Sequence, residues 1–182
     1  MEILLGRKQA AKFLGLPPHQ KILDVATGTG TLAYEFSKLG HSVIGIDSSI
    51  AMINRAEKKY SQQLFLRFEI ADATHLPFKN HEFDVTSISF GLHDMPHETQ
   101  VQVIKEMKRV TKPNGHTLIV DYNEPRKHLV AKLFFPLIRS IESDNFPSFA
   151  HRGLETILQE VGLKVSRNTT LWGLIQIAII DC

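Results

Sequence analysis

The chain has 182 residues, 43% of them hydrophobic and 22% charged, with a formal net charge of +2. That length supports one domain with a full core, and the composition excludes a disordered chain. The small charge excludes an electrostatic case for nucleic acid, and the single cysteine, Cys182, excludes a disulfide framework or a zinc site built on several thiolates.

Taken in order, Ile3 to Leu16 carries apolar positions at helical spacing and stops at Gly15 and Pro17-Pro18. This predicts a helical cap over residues 1–20 packed on the sheet edge, with part of a lid as the alternative. Met1 to Leu16 lacks the apolar stretch of a signal peptide, and the longest apolar run, Leu133 to Ile138, is broken by Pro136. A cytoplasmic single domain is expected.

Ile22 to Val25 reads as a strand running into a loop with Gly28 and Gly30, and Leu32 to Leu39 as the helix after it. His41 to Ile46 is a short apolar strand ending at Asp47, and Ile50 to Tyr60 a helix. Leu64 to Ile70 is strand-like, Ala71-Asp72-Ala73 follows, and Thr74 to Glu82 is an irregular connection around Pro77. Asp84 to Phe90 is a strand ended by Gly91, Glu98 to Val110 a helix, Lys112 to Gly115 a turn, and His116 to Asp121 a fifth strand. Strand–helix alternation of this kind predicts a parallel sheet covered on both faces. Pro125 to Ile141 is predicted helical, Asp144 to Ser148 a loop, and Gly153 to Val161 a helix stopped by Gly162. Lys164 to Thr169 and Leu174 to Ile180, joined by Thr170 to Gly173, predict an antiparallel hairpin. The fold class is therefore α/β, a Rossmann-like three-layer sandwich whose seven-stranded, mostly parallel sheet closes with that hairpin.

The glycine loop carries the first chemical signal. Glycine accepts positive φ and lets a ligand approach the main chain, and amides at the start of the next helix favour negative groups. Gly28-Thr-Gly30-Thr-Leu-Ala33 also satisfies a loose dinucleotide pattern, with Asp47 about twenty residues on for a ribose hydroxyl. Two features weigh against a nicotinamide cofactor: Asp24 lies within the first strand, where it can face an ammonium, and the chain has no second half for a dinucleotide.

Asp24-Val-Ala-Thr-Gly-Thr-Gly30 closely resembles the first motif of class I S-adenosylmethionine-dependent methyltransferases. Alanine at position 26, where glycine is common, resembles the ubiquinone/menaquinone biosynthesis C-methyltransferase group. Val43 to Ser49, Ala71 to Phe78, Phe83 to Leu92 and Glu106 to Gly115 match further motifs of that class in order. The resemblance implies S-adenosyl-L-methionine as cofactor. It places Ala26, Gly28 and Gly30 along the methionine part, Asp24 at its ammonium and Asp47 on the ribose diol. It also places Asp72 at the adenine amino group, the Ala73 amide at a ring nitrogen, Ile46, Ser48 and Ile50 around the adenine, and Ser89 with Phe90 at the sulfonium end. Taken singly, Asp47 would serve equally as a helix cap and Asp72 as a turn residue.

The same resemblance implies transfer of a methyl group to a small, apolar or aromatic acceptor, with a quinone precursor as the specific case and a non-catalytic cofactor-binding protein as the rival. Carbon methylation of an aromatic ring needs one general base, and His93, in Phe90-Gly-Leu-His-Asp-Met-Pro-His97, is the first candidate because histidine titrates near neutrality. The resembled group often has Arg-Asn where His93-Asp94 stands, so its role does not transfer there. No metal site is expected. Tyr122, Phe134, Phe135, Phe146 and Phe149 are candidates for an apolar acceptor wall in a lid insertion over 123–150. Arg126, Lys127, Lys132 and Arg139 are read first as the solvated face of a lid helix, with a face that rests on an anionic membrane as the alternative. A homodimer is compatible with the sequence.

Overall fold

The computed structural model of the chain describes residues 2–123, 143–171 and 173–182. Seven strands form one sheet: β1 (Lys21–Val25), β2 (Ser42–Asp47), β3 (Leu66–Ile70), β4 (Phe83–Ser89), β5 (Thr111–Tyr122), β6 (Arg167–Leu171) and β7 (Ile175–Asp181). Their spatial order is β3-β2-β1-β4-β5-β7-β6, parallel up to β5 and antiparallel for β7 and β6. The helices described are α1 (Glu2–Phe13), α2 (Thr31–Lys38), α3 (Ile50–Tyr60), α4 (His97–Val110), α5 (Phe146–Arg152) and α6 (Leu154–Glu160), with a single 3-10 turn over Leu92–Asp94.

The central strands are buried on both faces, which their near-continuous apolar runs require. Alternate residues divide between two cores. Ile22, Val43, Val85, Leu118, Val120 and Ile177 pack under α1 and α2 with Leu14, Leu32 and Phe36. Leu23, Ile44, Ile46, Ile88, Ile119 and Ala178 pack on the other side against Val103, Ile104 and Met107 of α4 and Leu154 and Ile157 of α6. The three-layer α/β reading is thus the observed architecture.

Three boundaries differ from the sequence reading. Residues 146–152 form α5 rather than a loop through Ser148, with a proline in the first helical turn, where its missing N–H costs nothing. The edge strand β6 lies at Arg167–Leu171 instead of Lys164–Thr169, because its mostly exposed residues leave register to its pairing with β7. The Lys112–Gly115 turn exists as a bulge inside β5: Thr111 pairs with Phe83 and His116 with Val85, while Asn114 takes φ +65°. The predicted helix over 125–141, with Phe134, Phe135, Arg126, Lys127, Lys132 and Arg139, lies outside the described residues.

Order reverses between β1 and β4, since the chain runs outward through β2 and β3 and returns beside β1. The crevice at the carboxyl ends of these strands is the ligand-binding position of an open α/β sheet. Val25, Asp47, Ile70, Ser89 and Tyr122 mark that edge.

Candidate cofactor and acceptor site

The loop after β1 is set by backbone geometry. Ala26, Gly28 and Gly30 have φ of +49°, +56° and +74°. A Cβ on Gly28 would meet nothing within 4 Å, so the space above it is open, whereas a Cβ on Gly30 would stand 2.5 Å from the Phe68 ring. Gly28 therefore faces the crevice and Gly30 faces the protein. Ala26 holds a left-handed conformation that costs an L-residue roughly 1–2 kcal/mol. The Cβ of Ala26 also lies 3.2 Å from where a Cβ on Gly91 would stand, so the ends of β1 and β4 approach closely there.

Asp24 is fully buried and accepts hydrogen bonds from Thr27 Oγ1 at 2.6 Å and Ser87 Oγ at 2.7 Å. Burial pushes its pKa up, opposed by those two hydroxyls and by Arg7. Both oxygens are engaged, so Asp24 acts on the loop from beneath, anchoring Thr27. Asp47 joins two loops: its Oδ2 accepts from the Gly28 amide and its Oδ1 from the Ser49 amide, each at 2.9 Å. Helix capping falls instead to Ser49, whose Oγ accepts from the Met52 amide, and Ser48 is exposed beside it. Asp72 is exposed, its Oδ1 accepting from the amide and hydroxyl of Thr74 at 2.8 Å, while Ala73 is half-buried. Exposed Ile50 (61%) and Ile70 (56%) flank Asp47 and the start of the Asp72 loop, and a flat apolar ring would cover them. The connection carrying Asp72 is stapled by Arg109, which donates to the Leu76 and Phe78 carbonyls and forms an ion pair with Glu106 at 2.7 Å.

A second cluster stands at the ends of β4 and β5. His93 Nδ1 lies 2.6 Å from Asp121 Oδ1, both residues buried, and His93 Nε2 lies 3.4 Å from Asp94 Oδ1, which reaches solvent. Asp121 also accepts from the amides of Leu92, His93 and Tyr122. The His93 ring meets Tyr122, Phe146 and Phe149 with centroids 5.0, 5.9 and 6.4 Å away. Three of the five aromatics singled out in the sequence thus gather on the candidate base. Ser89 is buried and accepts from Arg7 Nε at 3.1 Å.

Two of these residues carry weak sequence signals. Asp121 ends an apolar strand just as Asp47 does. Arg7 interrupts the buried stripe that continues at Ala10 and, past the end of α1, at Leu14, a position where helical periodicity calls for an apolar residue. Among the described residues no group of three His, Cys, Asp or Glu side chains converges as a metal site, and no helix is long and apolar enough to cross a membrane.

A glycine loop at the switch point, an acid at the end of each of the next two strands and a 3-2-1-4-5-7-6 sheet define the methyltransferase class of α/β nucleoside-binding folds. Residues 22–115 match the family described as Methyltransferase domain, and the chain belongs to that family. It is 38% identical over 119 residues to the demethylmenaquinone methyltransferase of Streptomyces avermitilis, covering 65% of this chain and 49% of that protein. It is also 38% identical over 123 residues to a ubiquinone/menaquinone biosynthesis C-methyltransferase of Bdellovibrio bacteriovorus, covering 66% and 52%. The chain thus spans about half the length of these curated relatives. A crystal structure of a SAM-dependent methyltransferase from Aquifex aeolicus shares the fold, with a TM-score of 0.74 at 21% identity, over 96% of this chain and 88% of that one.

Proposed function

We propose that the chain transfers the methyl group of S-adenosylmethionine to a ring carbon of a small aromatic acceptor of the reduced-quinone type. The observation that carries this is the buried His93–Asp121 pair, ringed by Tyr122, Phe146 and Phe149, beside the cofactor crevice. The two relatives, a demethylmenaquinone methyltransferase and a ubiquinone/menaquinone biosynthesis C-methyltransferase, support the acceptor class.

The residues present fit the cofactor: Gly28 leaves open space, Asp47 offers an anionic acceptor, and the exposed isoleucines offer an apolar slot. Gly28 and Gly30 would carry the methionine part, with Ala26 and Ser89 beside its sulfur. Asp47 would hold the ribose hydroxyls, Asp72 and the Ala73 amide the adenine edge, and Ser48 its rim. Asp24, with Thr27, would supply negative potential for the ammonium. Bound there, the cofactor supplies a methyl group already activated on a cationic sulfur.

The chain's own work is then to place the acceptor carbon and to take a proton. Withdrawing the proton of the acceptor hydroxyl pushes electron density onto the ring carbon that takes the methyl group, and His93 is placed to receive that proton. The methylated carbon then gives up its own hydrogen as the hydroxyl is restored, so one proton is released in all. Asp121 holds the imidazole through Nδ1, and Asp94 offers a route from Nε2 to solvent. Residues 1–20 serve in this reading as a helical cap on the sheet and residues 123–150 as the lid over the acceptor, with the basic residues of the second stretch as a contact for an anionic membrane in which such acceptors dissolve. Flotation with vesicles of neutral and anionic lipid tests the membrane contact; equal recovery with both would remove it.

The enzymatic test uses reduced, ring-unsubstituted naphthoquinone acceptors with S-adenosylmethionine, product being read by mass spectrometry. Methylated ring carbon is expected, and His93→Ala should lower turnover by at least about 100-fold while S-adenosylhomocysteine still binds. Full turnover in that variant would remove His93 as base. Cofactor binding without any methylated product would favour a binding protein instead.

A further inference from the structure

Beyond Gly6, the buried positions of α1 are Ala10 and Ala11, with Phe13 partly buried and Leu14 buried just past its end, and an interior glycine weakens the helix. Docking of this helix draws the Arg7 guanidinium to the edge of β4. Its carbon lies 5.3 Å from the Phe90 ring centroid, and burial works against its charge. Among the described residues, Nε is the only guanidinium nitrogen of Arg7 with a hydrogen-bond partner, Ser89 Oγ.

The nearby carboxylates do not close this account. Asp24 is the strongest opposing charge, yet its oxygens go to Thr27 and Ser87, while those of Asp121 go to His93 and three backbone amides. Arg7 is therefore left with two terminal nitrogens, a planar donor pair that matches a carboxylate. The fork stands on the face of the sheet that carries Asp24, Ser87 and Ser89, next to the loop that Thr27 anchors.

We propose that Arg7 receives the α-carboxylate of the cofactor's methionine tail and that this contact couples the docking of α1 to cofactor binding. The inference rests on the cofactor reading above. Arg7 then meets the carboxylate of the tail directly, while buried Asp24 adds negative potential beneath its ammonium. Coupling is reciprocal: a ligand with the carboxylate holds α1 down, and a docked α1 raises affinity for that ligand by the same factor. Residues 1–20 are on this account a cofactor-sensitive clasp, which goes beyond a packing cap.

The test compares S-adenosylmethionine with its decarboxylated form, which differs only in this group, by calorimetry on wild type, Arg7→Gln, Arg7→Lys and Lys8→Gln. Arg7→Gln should weaken S-adenosylmethionine by roughly 10- to 100-fold and the decarboxylated ligand little. Arg7→Lys should recover part of the loss, and Lys8→Gln, a change at an exposed neighbour, should match wild type. In wild type, hydrogen exchange of the amides from Gly6 to Phe13 should slow with S-adenosylmethionine and not with the decarboxylated form. Equal weakening of both ligands by Arg7→Gln, or equal protection of α1 by both, would overturn the proposal while leaving the cofactor site standing. Failure of wild type to bind either ligand would bring down the cofactor reading and this inference with it.

Discussion

Replacing Gly30 by alanine tests how the cofactor loop is built. Gly30 opens α2 at φ +74°, and its added Cβ would lie 2.5 Å from Phe68 Cζ, 2.7 Å from Phe68 Cε1 and 3.2 Å from Ala56 Cβ. The left-handed backbone costs an L-residue about 1–2 kcal/mol. The Phe68 ring also packs against Gly45 and lies 6.4 Å from Tyr60, so moving it adds an overpacking cost of about 1–3 kcal/mol. The expected loss is thus roughly 2–5 kcal/mol, a large share of the roughly 5–15 kcal/mol that holds a domain together. Gly28→Ala is the control: at φ +56° with nothing within 4 Å of its Cβ, it should lose only the backbone part, about 1–2 kcal/mol. Urea unfolding followed by circular dichroism reads both. In a Phe68→Leu background the Gly30→Ala loss should shrink by about 1–2 kcal/mol and the Gly28→Ala loss should not change. Equal losses for the two glycines, or strict additivity with Phe68→Leu, would refute the reasoning.

Ala26→Gly should raise stability by about 0.5–1 kcal/mol, because relief of the left-handed strain exceeds the entropy gained by the unfolded chain; scanning calorimetry reads this as a higher Tm. Asp47→Asn leaves one of the Gly28 and Ser49 amides without its acceptor and removes the charge offered to the ribose, so S-adenosylhomocysteine should bind roughly 10- to 100-fold more weakly by calorimetry. Arg109→Ala should cost about 1–3 kcal/mol near neutral pH through the lost staple of the Asp72 connection. Arg109 holds the Glu106 carboxyl below its usual range, so the folded chain binds fewer protons than the unfolded one; that part of the stability is present above the ordinary glutamate pKa and fades as pH falls through the lowered one. The difference between wild type and Arg109→Ala, measured by urea midpoints, should therefore narrow by a few tenths of a kcal/mol between about pH 6 and about pH 3, a modest amount because the pair is partly solvated.

The inner sheet was legible because β1, β2, β4 and β5 are buried on both faces, and only near-continuous apolar runs satisfy that demand. Gly28 and Gly30 were legible as a pair, though their different duties were not, since only the position of Phe68 on β3 tells them apart. The edge strand β6 was misplaced because Arg167, Asn168 and Thr170 face solvent and carry no burial period. Helix α5 hid behind turn-like residues, Asp144-Asn-Phe-Pro-Ser148, although proline in a first turn is a helix-start signal. Arg7 and Asp121 were missed for a different reason. Arg7 meets Ser89 across 82 positions and Asp121 meets His93 across 28, and no local pattern encodes such meetings.

The central claim is that the crevice above Gly28 seats a nucleoside with a methionine tail. Its most direct test is a mass spectrum of the small molecules released when the purified chain is denatured. S-adenosylmethionine or S-adenosylhomocysteine is predicted in the released fraction, reduced in the Asp47→Asn variant. Retained NAD, with neither sulfur nucleoside present, would contradict it.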